Sequence, residues 1–297
     1  MSEIVVSRDL YVCELSSETP AAIEVQPGSV VRLCCREACD RGTGPGPDRA
    51  PAANPSTGPV AVAGAAPGAA LRVEVLDVVP VEFGHIGDGE GGYREIRIVD
   101  GAAAFSDELR VPIRPMIGVL GVALPEGSWD ATGCGLFESA GAGKAKRVLV
   151  GGNMDTNDVA PGAVVYLPVC VPGGMLVAGD VHAVMGDGEI GGQGLEVAAD
   201  VTLRLDVEPS PLCPSAYLYR DDQLMVLGAG ASLDDACRMA TLTTMLVLMR
   251  ELGLSEHDAG KLLGFCADVR IGEVCCPIKT ARVAVPLSVV PQLRRPN

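Results

Sequence analysis

The run from Val197 to Glu208 constrains this chain more than any other. Val197, Ala199, Val201, Leu203, Leu205 and Val207 alternate with Asp200, Thr202, Arg204, Asp206 and Glu208. Successive side chains on an extended backbone point to opposite faces, so the pattern specifies one long strand with an apolar face and a polar face. Such a strand needs neighbours to pair with and an apolar layer to lie on. Shorter runs of the same kind are predicted over Val30 to Cys35, Pro59 to Val62, Ala70 to Val79, Tyr93 to Val99, Val148 to Gly151, Val164 to Val169 and Thr280 to Val285, with turn signals such as Pro67-Gly68 between them. Aromatic residues make up only 3% of a chain that is 48% hydrophobic, so the core must be filled by Val, Leu, Ile and Ala. The branched residues among these favour strands. The expected fold is mainly β, a β-sandwich or barrel-like architecture.

Helical periodicity is confined to one region. Ser232-Leu233-Asp234-Asp235 carries a capping signal, after which Met239, Leu242, Leu246 and Met249 recur at three- and four-residue steps up to Gly253. Ser255-Glu256-His257-Asp258 repeats the device ahead of Leu262, Leu263 and Cys266. A helical hairpin is therefore expected over 232–268, inserted near the C-terminus of one domain spanning 1–297. Gly, Pro, Ala and Ser dominate 41–59, which reads as a loop.

The net charge of −15 argues against a nucleic-acid partner, which requires clustered Lys and Arg. No apolar run reaches the roughly eighteen residues of a spanning helix, and Met1 to Arg8 lacks the basic and apolar regions of a signal peptide. A cytoplasmic protein without membrane attachment is expected. Eleven cysteines, scattered and without a C-x-x-C spacing, suit a reducing compartment and small buried side chains better than a zinc knuckle. Gly141-Ala142-Gly143-Lys144-Ala145 lacks the residues of a phosphate-binding loop, and no G-x-S-x-G elbow is present.

With three histidines in all, the chemistry that remains is a cation held by carboxylates and imidazole. Asp155 comes just after a predicted strand, and a glycine-rich loop over Gly179 to Glu189 brings Asp180, His182, Asp187 and Glu189 ahead of the long strand. The same residues also suit a plainer role: acidic groups between glycines bond their own backbone in turns, and a histidine on a strand is often a satisfied core residue. His85 precedes Gly87-Asp88-Gly89-Glu90 as His182 precedes Gly186-Asp187-Gly188-Glu189, an echo that chance can produce among 37 glycines.

Gly151-Gly152-Asn153-Met154-Asp155-Thr156-Asn157-Asp158, Gly162 to Pro168, Val171-Pro172-Gly173-Gly174 and Gly179 to Glu189 together resemble the sequence core of the acetamidase/formamidase family. Asn54 to Val60, Gly118 to Ala123 and Ser255 to Pro286 extend the resemblance over nearly the whole chain. It implies a predominantly β, homo-oligomeric enzyme, a dimer or larger, that hydrolyses short linear amides to carboxylate and ammonia at a divalent-metal site. On that basis Asp155, His182 and Glu189 are the expected ligands of a divalent ion, zinc first, with calcium or another divalent ion as alternatives. Asp187 or Glu37 is the expected acid/base group, and Glu189 is a candidate for that role too. Two segments depart from the family pattern, Glu37-Ala38-Cys39-Asp40-Arg41-Gly42 and Cys275-Cys276-Pro277. They leave two alternatives open: a lactamase-like hydrolase of a cyclic amide, and a non-catalytic metal-binding paralogue.

Overall fold

The computed structural model describes residues 3–38, 54–90, 92–139 and 147–294. The long alternating run forms the strand Ala199–Glu208, with Ala199, Val201, Leu203 and Leu205 buried and the residues between them half-buried. It pairs antiparallel with Ser29–Cys35 on one side and Ala70–Pro80 on the other. The nine-stranded sheet built on it continues through Val164–Pro168, Tyr217–Arg220, Gln223–Gly230, Lys279–Pro286 and the edge strand Asp268–Ile271, with Ile4–Val6 at the opposite edge. A seven-stranded sheet contains, in spatial order, Cys134–Glu138, Arg147–Asn153, Met116–Gly121, Leu176–His182, Ser56–Val62 and Tyr11–Val12, and Ile23–Val25 also pairs with Ser56–Val62. Leu33, Val73 and Leu203 of the first sheet share one apolar cluster with Val119, Val150 and Val181 of the second. The architecture is thus mainly β and sandwich-like, as the alternation requires.

Two expectations are corrected here. Gly179 to His182 is not loop but the end of the strand Leu176–His182, and only the segment between His182 and Ala199 is irregular. Ser56 to Pro59 likewise belong to the strand Ser56–Val62, while 41–53 lie outside the described residues. The physical reason is the same in both cases. Every residue of Ser56–Val62, Met116–Gly121 and Leu176–His182 is buried, so neither face carries a polar alternation for the sequence to display. Gly58 permits this packing, because a Cβ there would lie 2.7 Å from the Leu176 carbonyl oxygen of the next strand.

The helical hairpin stands as α1 (Leu233–Leu252) and α2 (Glu256–Cys266). Ser232 accepts from the Asp235 amide and Ser255 from the Asp258 amide, while Gly253 closes α1 at φ 68°. The pair packs on the strands Gln223–Gly230 and Lys279–Pro286 through a second apolar cluster that includes Val226, Ala240, Val247, Leu263 and Val285. Among the described residues no helix is long and apolar enough to cross a membrane. Anchored beside this layer, the turn between Asp268–Ile271 and Lys279–Pro286 reaches back to the irregular segment that follows Leu176–His182. There the Gly188 amide donates to the Gly272 carbonyl at 2.8 Å and the Val274 amide to the Gly188 carbonyl at 3.0 Å.

Candidate active site

Three adjacent strands of the second sheet converge on one buried group of carboxylates around His182. Met116 stands opposite His182, and Val119 stands opposite both Gly179 and Asn153. Asp155, just beyond the end of Arg147–Asn153, therefore meets Asp180 across the intervening strand. Gly118 makes room for both, since a Cβ there would lie 2.5 Å from Asp155 Oδ1 and 2.8 Å from Asp180 Oδ2. Asp155, Asp180 and Glu189 all adopt positive φ, at 40°, 53° and 45°. Non-glycine residues rarely occupy this region, and strain of this kind, of order 1–3 kcal/mol per residue, gathers where function fixes a side chain.

His182 is fully buried and is the hub of the group. Its Nε2 lies 3.2 Å from Glu196 Oε1 and 3.6 Å from Glu189 Oε1. When Nε2 donates to the Glu196 carboxylate, a neutral imidazole keeps its lone pair on Nδ1. That Nδ1 has no hydrogen-bond partner, nor does Asp155 Oδ1, and the two atoms face each other at 3.8 Å. Other oxygens of the group are held: Asn153 donates to Asp155 Oδ2, Asn54 donates to Asp180 Oδ2 at 3.0 Å, and the Gly194 amide donates to Glu189 Oε1 at 3.2 Å. Asp155, His182 and Glu189 each offer one ligand atom within 4.8 Å of the others, as do Asp180, His182 and Glu196. Two unpaired buried ligand atoms face one another, with Glu189 within 4.8 Å and Glu196 fixing the far side of the imidazole, so the donor set could hold a divalent cation.

Burial in one another's company sets the electrostatics. Desolvation first, then the neighbouring Asp180, pushes the Asp155 carboxyl well above the usual carboxylate range, and desolvation with Glu196 does the same to Asp180. Burial alone would lower His182, but Glu196, Asp180 and Glu189 outweigh it and raise the imidazole well above its usual value. Desolvation lifts Glu273, whose Oε1 is also buried and unpartnered, to about 7. A carboxyl with a raised folded-state pKa keeps its proton after the unfolded chain has lost one, so its stabilising effect disappears as the pH climbs from the ordinary carboxylate value through the folded one. The sign is the same for a histidine whose folded value is raised. Metal-free protein is therefore expected to unfold at a lower temperature at pH 8 than at pH 5, and a bound cation to narrow that difference; thermal melts with and without chelator measure both.

The other residues singled out in the sequence lie apart from this cluster. Asp187 has both oxygens 2.9 Å from Arg282 Nη2 and receives the Asn157 amide at 3.0 Å. Arg282 is itself buried and donates from Nε to Asp158. Glu37 Oε2 is 2.8 Å from His85 Nδ1. The histidine echo has a structural counterpart, because the Glu196 backbone bridges to both His85 and His182. Glu196 and Glu273 were not singled out by the sequence. A lone glutamate between Leu195 and Val197, at the head of the long alternating run, was the available signal for the first. Cys275 and Cys276, one of the two departures from the family pattern, stand beside Glu273, and Cys275 Sγ lies 3.0 Å from Glu189 Oε2.

A cavity of about 620 Å³ opens on Glu189, Asp187 and Gly194 and is walled by Ile86, Ile96, Phe105 and Met185. Through Glu189 the buried acid–imidazole group reaches the wall of this largely apolar cleft, the kind of opening through which a small substrate meets titratable groups. Residues 135–213 match the model of the Acetamidase/Formamidase family. The chain is 31% identical to an acetamidase from Bacillus halodurans over 98% of its own length and 100% of the other, with a TM-score of 0.87. A protein from Thermoanaerobacter tengcongensis, described as a predicted acetamidase/formamidase, shares 30% identity over 97% of each chain, also with a TM-score of 0.87. An acetamidase of Mycolicibacterium smegmatis is 26% identical across 64% of each sequence. The γ-lactamase of Delftia acidovorans, at 18% identity and a TM-score of 0.57, shares the fold alone. The chain belongs to the acetamidase/formamidase family, and it is an amidohydrolase acting on linear amides.

Proposed function

We propose that this enzyme cleaves short amides of the formamide and acetamide type with a divalent ion, zinc first, held by Asp155, His182 and Glu189. The observation that carries the reading is the pair of unpartnered buried atoms, His182 Nδ1 and Asp155 Oδ1, facing each other at 3.8 Å. When bound, the cation supplies Lewis-acid polarisation of the amide carbonyl and a lowered pKa for water. The protein's own groups supply orientation and proton handling. Glu196 holds the imidazole in the tautomer that leaves Nδ1 free, and Asn153 and the Gly194 amide hold Asp155 and Glu189. Ammonia leaves only after the amide nitrogen takes up a proton. Glu273, buried, poised near 7 and with Oε1 unpaired, suits that transfer better than Asp187 or Glu37, whose oxygens are engaged by Arg282 and His85. We assign Asp187 the task of fixing the loop that carries Glu189.

The apolar walls of the cleft receive the acyl chain, and a volume of about 620 Å³ exceeds what acetamide fills. Ammonia release measured over formamide, acetamide and longer linear amides, with metal content determined on the same sample, tests the reading. Turnover that disappears with chelator and returns with zinc supports it. Unchanged turnover in demonstrably metal-free protein sinks it, and hydrolysis of a cyclic amide without ammonia release from linear ones would favour the lactamase-like alternative. The same reading includes a cytoplasmic homo-oligomer, with Phe265, Val269 and Leu246 as exposed apolar side chains on and beside the helical hairpin. Sedimentation at micromolar concentration should show a dimer or larger.

A further inference from the structure

The turn between Asp268–Ile271 and Lys279–Pro286 gathers a set of ligand atoms that the reaction described above does not use as a group. Glu189, Glu273, Cys275 and Cys276 each offer one atom within 4.8 Å of the others. The two sulfurs are 3.9 Å apart. That is far beyond a disulfide bond, and it is close to the edge of a tetrahedron whose metal–sulfur bonds are about 2.3 Å, an edge of about 3.8 Å. Cys275 Sγ also lies 3.0 Å from Glu189 Oε2 and 3.8 Å from Glu273 Oε2. Within the group Glu273 is fully buried, and its Oε1 is a buried acceptor with no hydrogen-bond partner. Glu273 and two thiols on a turn bonded to the Gly188 backbone meet Glu189 from the facing segment, and the nearby Lys279 donates to the Cys276 carbonyl rather than to them.

We infer that Cys275, Cys276 and Glu273, completed by Glu189, form a second cation site of thiolate type, which takes a soft or borderline divalent ion of the zinc class. It shares Glu189 with the Asp155 and His182 group and also takes Glu273, so it rests on the proposed function through Glu189 and withdraws Glu273 from proton transfer while the ion is bound. Sulfur ligands select against calcium, which prefers oxygen, so the two sites differ in the ions they accept. Binding replaces the protons of both thiols, and that of Glu273 where it is protonated, and these protons pass to solvent.

The test uses the full chain, reduced, stripped of metal and titrated with cobalt(II) and cadmium. The expected result is a thiolate-to-metal charge-transfer band in the near ultraviolet that saturates at one equivalent per chain, with two ions per chain at the end of the titration. In the Cys275→Ser/Cys276→Ser protein the band and one ion are lost while the other ion stays. In His182→Ala the band stays and the other ion is lost, so failure of the catalytic-site reading is told apart from failure of this one. Absence of the band in the wild-type chain, or retention of both ions by the double serine variant, overturns the inference. Serine is close to cysteine in size at these exposed and half-buried positions, and a circular-dichroism spectrum matching wild type confirms that any loss is local.

Discussion

His182→Ala protein is expected to fold, to lose the cation held with Asp155 and Glu189, and to release ammonia from acetamide about a thousandfold more slowly, since removing several kcal/mol of metal-derived stabilisation costs a factor of ten for each 1.4 kcal/mol or so. The size of the effect reflects the hub position of this residue. Its Nδ1 is the one nitrogen of the facing unpartnered pair, and neither Asp155 nor Glu189 can replace it without a third ligand. Glu196→Gln gives the graded comparison. It keeps the ring and its ligand atom but frees the tautomer, and disturbing such a supporting carboxylate typically costs about 10–100-fold in metal affinity or activity. Metal content and kcat measured on both variants check the order. Full activity in His182→Ala would remove the imidazole from the mechanism.

Arg282→Met is expected to destabilise the fold by roughly 3–5 kcal/mol, the cost of breaking a buried ion pair from one side. The Arg282 side chain is 2% exposed and holds Asp158, Asp187 and the Ile271 carbonyl at once. Without it, Asp158 stays largely buried and uncompensated, and the loop that carries Glu189 loses its tie to the strand Lys279–Pro286. The midpoint of urea unfolding should fall with little change in the slope. Turnover at low temperature, where the variant is still folded, should drop as well, because Glu189 is positioned through this network. Asp187→Asn separates the two effects: it weakens the exposed arm of the network and leaves the buried Arg282–Asp158 pair in place, so most stability is retained. A stability unchanged in Arg282→Met would mean that Asp158 finds another partner.

Where one sheet face meets the core and the other meets solvent or a polar layer, burial writes itself into the sequence as alternation, and Ala199–Glu208 was legible for that reason. The capped helices were legible because Ser232 and Ser255 announce their own local hydrogen bonds and Gly253 its own conformation. Leu176–His182 and Ser56–Val62 were not, since strands covered on both faces show mostly small and apolar residues, and glycine there reads as a turn until the neighbouring strand is seen to need the space. Asp155, His182 and Glu189 could be picked out as carboxylates and imidazole in two glycine-rich segments, and the structure brings those three within reach of one another.

The sequence by itself therefore determined the class of fold, the family and the residue types of the centre, because periodicity, caps and motif spacing are properties of the chain alone. Tertiary structure decided which partner each carboxylate meets. Asp187 and Glu189 are two residues apart in one loop, yet the first is bound by Arg282 from a strand of the other sheet and the second faces His182. Glu196 meets His182 across a backbone bridge, and Glu273 comes beside Glu189 where the turn before Lys279–Pro286 is bonded to Gly188. Partners this distant in the chain are set by sheet order and register, and no local pattern records them.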